Sequence, residues 1–253
     1  MTDNALQFDG TQNYLDLGTL GSLGSNLGNG FYYRQDIKTS KTDKREQGIV
    51  WTGSPSNCAI IIGLNNNSGG GTTSGCIRLY TRDQTGKQLA GATTSATNFN
   101  DGAKHIIEVI AVFSTNTITI KVDGVSKAIT YTAQQTPSSF TDFNRIFPVG
   151  ARNNAGSFDY YLASIVDNFQ IGTSLSALYG SYSMDEGSGT TTANAGSVGG
   201  TATLTKGAGD YPAWVTGLSG PINLKSINGL AKASIKADNG LSIASVKTVN
   251  GLG

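Results

Sequence analysis

Thr117–Ile118–Thr119–Ile120–Lys121–Val122–Asp123–Gly124–Val125 is the stretch that decides the fold. Its first six residues alternate polar and apolar, the period of a strand with one face buried and the other wet. Asp123–Gly124 then supplies two residues that tolerate positive φ, the chemistry of a type I′ turn, and strand composition resumes at Val125. A hairpin is predicted. Just before it, His105–Ile106–Ile107–Glu108–Val109–Ile110–Ala111–Val112–Phe113 is apolar almost throughout, as in a central strand buried on both faces, so three successive strands form a meander.

The same signals recur outward from this meander. Gly48–Trp51, Ala59–Leu64, Cys76–Arg82, Lys104–Phe113, Ser126–Tyr131 and Ser164–Ile171 read as further strands separated by turn chemistry, and no stretch carries a helical period. Asn65–Ser74, with its run of Asn, Ser and Gly, is a rim loop that cannot bury surface. Charged residues make up only 14% of the 253 residues, while Gly, Thr, Ser and Asn are abundant, the profile of short strands and many turns. One β-sandwich of this length is expected.

Composition also narrows the partners. With 18 Lys+Arg against 17 Asp+Glu, the net charge of +1 gives no long-range field for phosphate backbones or anionic lipid, so neither nucleic acid nor membrane is an expected partner. The N-terminal Met-Thr-Asp-Asn-Ala-Leu-Gln-Phe has no basic region followed by an apolar one, and no apolar run approaches a membrane span; synthesis in the cytoplasm without a signal peptide is the expectation. Cys58 and Cys76 are too few for a disulfide framework, and a hairpin about the Asn65–Gly71 loop would set Cys58 opposite roughly residue 80, so two buried thiols are expected.

Several of these segments resemble laminin-G-like (concanavalin A-like) jelly rolls. Ala5–Leu6–Gln7–Phe8–Asp9–Gly10 with Tyr14–Leu15–Asp16–Leu17–Gly18 looks like the family's opening strands. Asp101–Gly102–Ala103–Lys104–His105 and Lys121–Val122–Asp123–Gly124 resemble its central strand pair, and Ala163–Ile171 its closing strand. Tyr182–Thr190 and Pro212–Gly217 are similar to a Gly-rich segment that usually precedes the jelly roll and here follows it, with Asn194 where the family usually has Asp. The resemblance implies an all-β, two-sheet antiparallel jelly-roll sandwich over residues 1–180. Residues 181–220 would pack as extra edge strands, and 221–253 would form a short β-repeat tail.

That tail repeats every 11 residues: Asn228, Asn239 and Asn250 align, as do Gly229, Gly240 and Gly251, and Leu230, Leu241 and Leu252. Parallel stacking of the repeats aligns Leu224, Ile235 and Val246 in one ladder and the three leucines in another, whereas hairpins about each Asn-Gly would mix polar and apolar faces. Fewer than three full repeats seldom hold themselves together, so these residues are expected to mediate assembly, as a self-trimer or on a partner. Similar tails end structural proteins of tailed phages, and the resemblance implies a virion protein: a head fibre, capsid decoration or tail-associated component.

Catalysis is hard to assemble from this chain. Glu46, Glu108 and Glu186 do not form the closely spaced acidic strand motif of glycosidases, and His105 is the lone histidine. The Lys38, Lys41, Lys44, Arg45 run, interleaved with Asp36, Asp43 and Glu46, reads as a solvated face. Sugar binding is better served. Arg152–Asn153–Asn154 and Tyr160–Tyr161 bring together hydrogen-bonding and stacking side chains within ten residues, although the tyrosines also suit strand packing. Jelly rolls of this kind often hold a hard cation, which makes Ca2+ the one cofactor the resemblance implies, at Asp9 and Asp167. The expectation is thus a non-enzymatic virion protein that binds host glycans, with a bacterial carbohydrate-binding module as the alternative.

Overall fold

The computed structural model describes residues 3–19, 27, 30–50, 58–138, 140, 146–218 and, in the tail, 226–227, 230–231, 237–238 and 241–242. The first half of the chain gives β1 (Asn4–Asp9), β2 (Tyr14–Asp16), β3 (Gly30–Lys38), β4 (Arg45–Val50), β5 (Ala59–Asn66), β6 (Thr72–Arg82), β7 (Gln88–Thr93), β8 (Lys104–Val112), β9 (Thr117–Val122) and β10 (Val125–Lys127). The second half gives β11 (Ile129–Gln134), β12 (Pro148–Val149), β13 (Arg152–Asn154), β14 (Ser157–Asp159), β15 (Ala163–Ser174), β16 (Ala177–Tyr182), β17 (Thr191–Ala193), β18 (Thr201–Thr205) and β19 (Ala213–Thr216).

Two large sheets sandwich one core, so the chain is an all-β jelly roll. The first sheet runs β10-β9-β8-β3-β15-β1-β19, with β16 added to β15; the second runs β11-β7-β6-β5-β4-β13-β14. A smaller sheet, β12-β2-β18-β17, joins the start of the chain to residues 191–205. Strands from 177 onward thus extend sheets built by the first 175 residues: β19 pairs with β1, Leu6 opposite Trp214, and β18 pairs with β2, Leu15 opposite Leu204. The chain divides into two units after Leu218.

The core follows from alternation. Phe31, Tyr33 and Ile37 of β3, Ile107 and Val109 of β8, and Val166 and Phe169 of β15 point inward from one sheet, against Ile60 and Ile62 of β5 and Ile77 and Leu79 of β6 from the other, all essentially without solvent exposure. Each such side chain contributes on the order of 1.5–3 kcal/mol by leaving water. One polar link crosses this interior. Gln47 Nε2 donates to Tyr33 Oη (2.9 Å) and to Gln35 Oε1 (3.0 Å), and Gln47 Oε1 accepts from the Gly150 amide (3.0 Å), tying β4 of one sheet to β3 of the other.

The deciding hairpin is as read: Val122 pairs with Val125, and Asp123 and Gly124 have φ of 53° and 76°, as a type I′ turn requires. His105 locks it. Its Nδ1 lies 2.7 Å from Asp123 Oδ2 and its Nε2 3.0 Å from Asp101 Oδ1, while Asp123 Oδ1 accepts from the Ile106 amide at 2.8 Å. The lone histidine therefore clamps two Asp-Gly turns. Two expectations need correcting. β8 is buried on one face only, with Ile107, Val109 and Ala111 inside and Ile106, Glu108 and Ile110 half-exposed, because among the described residues no element fully covers the outer side of its sheet. The single strand expected over Ser126–Tyr131 breaks at Ala128: β10 stays with β9, and β11 crosses to pair with β7 in the other sheet.

Cys58 and Cys76 are both buried and form no disulfide; the β5–β6 register, Ala59 opposite Arg82, puts Cys58 far from Cys76 along the ladder. In the tail, β20 (Ser226–Ile227) pairs antiparallel with β21 (Leu230–Ala231), and β22 (Ala237–Asp238) with β23 (Leu241–Ser242). Ile227 pairs with Leu230 and Asp238 with Leu241, so the described tail strands form a hairpin within each of the first two repeats; Leu224, Ile235, Val246 and Leu252, on which the expected parallel ladder also rests, lie outside the described residues. A two-residue Asn-Gly connection closes a local hairpin with less chain ordering than a long-range stack requires.

Candidate functional site

β6 decides which face of the seven-stranded sheet meets solvent. Ile77, Leu79 and Thr81 point into the core, so Arg78, Tyr80 and Arg82 stand on the outer face, half-buried. The register lays a row across that face. Ala90 of β7, Tyr80 of β6, Ile61 of β5, Gly48 of β4, Arg152 of β13 and Asp159 of β14 are successive cross-strand neighbours. Gly48 is obligatory there, since its φ is 124° and a Cβ would lie 2.1 Å from the Ile60 carbonyl oxygen.

At the β13–β14 end the row closes on an ionic cage. Arg152 Nε donates to Asp159 Oδ1 (2.7 Å) and one terminal nitrogen to Asp159 Oδ2 (2.5 Å), the forked geometry that guanidinium and carboxylate share. Its other terminal nitrogen reaches Glu46 Oε2 at 2.9 Å. Glu46, 2% exposed, also receives Asn66 Nδ2 at 2.8 Å and Lys44 Nζ at 3.2 Å, and Lys44 in turn donates to the Gly70 carbonyl at 2.9 Å. Two loops are thereby pinned over the sheet. Arg152 and Lys44 both sit over the Tyr160 ring, 4.4 and 4.8 Å from its centroid, and Tyr160 holds the left-handed φ of 50° that a bulky residue adopts only when its surroundings demand it. The pairing carboxylates raise the Arg152 pKa against the opposing effect of burial.

The other end of the row is different. Arg78 and Arg82 enter no ion pair among the described residues, and the Nε of each is buried without a hydrogen-bond partner there. Burial pulls the Arg78 pKa below the usual arginine range, and its guanidinium lies 5.2 Å from the Tyr80 ring centroid. Asp83, next along the chain, does not relieve Arg82: it is fully buried and accepts from Thr85, Lys87 and Ser138 amides at 2.9 Å each.

The residues expected from sequence thus divide. Arg152 and Tyr160 meet in the cage, with Lys44, Glu46 and Asp159 as partners. Asn153 is buried at 2% exposure and braces its own hairpin, donating to the Ile146 carbonyl and accepting from the Gly156 amide; Asn154 is half-buried opposite Ser157. Tyr161 gives its carbonyl to Arg45, and its half-buried ring is not in the cage. The lysine-rich run is no simple solvated face: Glu46 and Asp36 are each 2% exposed, Asp36 pairing with Lys104 and Arg34. Arg78, Tyr80 and Arg82 were legible from the alternation of β6, which places them on one face.

Asp9 and Asp167 are not brought together. Asp9 pairs with Ala163 and Leu6 with Val166, so the two acids lie four positions apart along the β1–β15 ladder. Asp9 lines a cleft of about 520 Å3 with Gln7, Lys38, Thr39 and Ser164, whereas Asp167 is fully buried and accepts from the Asn168 (2.8 Å) and Leu218 (3.1 Å) amides. Among the described residues no group of three or more His, Cys, Asp or Glu could hold a metal ion. Of the assembly residues, Leu230 lies in β21 and Leu241 in β23; Asn228, Gly229, Asn239, Gly240, Asn250, Gly251 and Leu252 fall outside the described residues.

No family model matches the chain, and no curated protein matches its sequence. Solved structures do. A proposed carbohydrate-binding protein from Bacteroides ovatus superposes with a TM-score of 0.52 at 14% identity, covering 84% of this chain and 61% of that one. The CBM40 module of a Ruminococcus gnavus sialidase gives 0.49 at 12% identity over 69% of this chain and 92% of that one, and laminin α1 domains LG4-5 from mouse 0.46 at 11% over 67% and 42%. The shared feature is the jelly-roll fold.

Proposed function

We propose that the jelly roll is a non-catalytic glycan-binding module whose sugar-binding surface is the outer face of the seven-stranded sheet. The observation that carries this reading is the Arg78–Tyr80–Arg82 row, an aromatic ring between two arginines that enter no ion pair among the described residues. Sugars are gripped by an aromatic face against their C–H surface and by fixed polar donors around it. The cage around Glu46 supports the surface by fixing both the loop at Gly70 and the Arg152–Tyr160 edge.

The three glutamates support the non-catalytic part of the reading. Glu46 is enclosed, Glu108 is engaged by Tyr32 Oη (3.1 Å) and Lys121 (3.7 Å), and Glu186 accepts from Thr192 and the Ala193 amide (2.7 Å). No two face one cleft, as acid and nucleophile would have to. A glycan array followed by titration calorimetry tests the surface: Tyr80→Ala is expected to lower affinity at least tenfold with an unchanged melting temperature. Undiminished binding by that variant refutes the surface.

The repeat tail supports a finer proposal, that the module is displayed on a phage particle as a trimer joined or anchored through residues 219–253. Light scattering on chains with and without these residues tests it; a monomer in both refutes self-assembly through the tail.

A further inference from the structure

We infer that the glycan this surface takes is acidic, carrying anionic groups on more than one sugar unit; the inference rests on the glycan reading above and names its ligand class. The argument begins with charge balance on the outer face. Lys44 and Arg152 are matched there by Glu46 and Asp159, through contacts of 2.5–3.2 Å. Arg78 and Arg82 make no ion-pair contact among the described residues, Arg78 feeling Glu46 only from beyond contact distance.

A guanidinium that is half-buried and unpaired is costly, because desolvation removes water from its donors and no carboxylate replaces it. Both Nε–H groups here are already shielded from solvent with nothing to receive them among the described residues, and the Arg78 guanidinium carbon lies 5.2 Å from the Tyr80 ring centroid. The planar guanidinium fork matches a carboxylate or sulfate, which accepts two parallel N–H bonds, far better than it matches a lone hydroxyl. The neighbouring Asp83 carboxylate, which could have satisfied Arg82, is instead consumed by three backbone amides.

Spacing sets the number of anionic groups. Arg78 and Arg82 are four positions apart on β6, roughly 13 Å by the rise of a strand. A carboxylate midway between them would occupy the Tyr80 face that a sugar ring needs. A sugar ring over Tyr80 with an acidic unit on either side engages all three residues at once.

The test uses the full chain and a panel of oligosaccharides in charged and neutral pairs: oligogalacturonate and its carboxyl-reduced form, and a sulfated and a desulfated oligosaccharide of one backbone. At least one acidic member is expected to bind tenfold or more tighter than its neutral twin, with affinity falling as salt rises. Arg78→Gln and Arg82→Gln should each erase about tenfold of that preference without lowering the melting temperature; Arg82→Lys, which keeps charge but not the fork, should recover only part. Equal binding of charged and neutral twins, lost in Tyr80→Ala, overturns acidity and leaves the glycan reading standing. Failure of every sugar to bind overturns both. Equally tight binding of a single-stranded oligonucleotide also overturns the proposal, since it reduces the arginines to general polyanion attraction.

Discussion

Replacing Glu46 should be the most damaging single change outside the apolar core. Its carboxylate is 3% exposed and holds three partners: Arg152 at 2.9 Å, Asn66 at 2.8 Å and Lys44 at 3.2 Å. Removing one member of a buried ion pair costs about 3–5 kcal/mol, because the other charge stays buried without its partner. Arg152 keeps Asp159 and Lys44 keeps the Gly70 carbonyl, so Glu46→Ala belongs at the lower end, about 3 kcal/mol. For a domain of this size that is roughly 6–12 °C in melting temperature. Glu46→Gln should recover little, since its amide would set donors against the Arg152 donors. Urea unfolding followed by the fluorescence of Trp214, whose indole donates to the Gly189 carbonyl at 2.8 Å, reads the loss. A midpoint shift worth less than about 1 kcal/mol, at unchanged slope, would refute the view of this cage as what holds the site together.

Two further predictions concern pH. Burial opposes protonation of His105, but its hydrogen bonds to Asp123 and Asp101 and their charges prevail and raise its pKa above 6.5. Its stabilisation is therefore full below 6.5 and fades as pH rises through the folded value. At the acid end the clamp is lost as pH falls through the lowered pKa values of Asp101 and Asp123. His105→Ala should thus be most destabilised, relative to the parent, between about pH 4 and 6.5, and a His105 NMR titration with a midpoint at or below 6.5 contradicts the clamp. Asp167 runs the other way: burial first, then the carboxylates of Asp3 and Asp36, raise its pKa to about 6 against the pull of two amides. The folded state then holds the proton longer than the unfolded one, so stability falls between the unfolded value of 3.8 and about 6. Asp167→Asn should remove about 2–3 kcal/mol of that decline, and parallel stability–pH curves for parent and variant would show that Asp167 is ionised throughout.

What the sequence discloses follows from how local each signal is. The β8–β9–β10 meander is legible because period, turn chemistry and strand adjacency all lie within about twenty residues. β3, a central strand of its sheet, escapes the same reading. Gln35 and Asp36 are both buried in it, one in the core and one on the outer face, so the strand shows neither clean alternation nor an apolar run; Gln47 of β4 and Lys104 of β8, which meet these two side chains, are placed beside them only by the fold. The site divides on the same line. Arg152 and Tyr160 stand out by composition, yet composition cannot tell that Glu46, more than a hundred positions away, already occupies the Arg152 donors. Arg78, Tyr80 and Arg82 carry the opposite lesson. Their alternation within a predicted strand places them on one face, but that the face is outward, and that no carboxylate among the described residues meets the two arginines, are properties of β5 and β7 and of the loops above them. A residue type marks what a side chain can bind; only its neighbours decide whether that capacity is already used. On that criterion the Arg152 end is the frame of this surface and the β6 row its open half, which is why substitutions at Glu46 should read out in stability and those at Arg78, Tyr80 and Arg82 in binding.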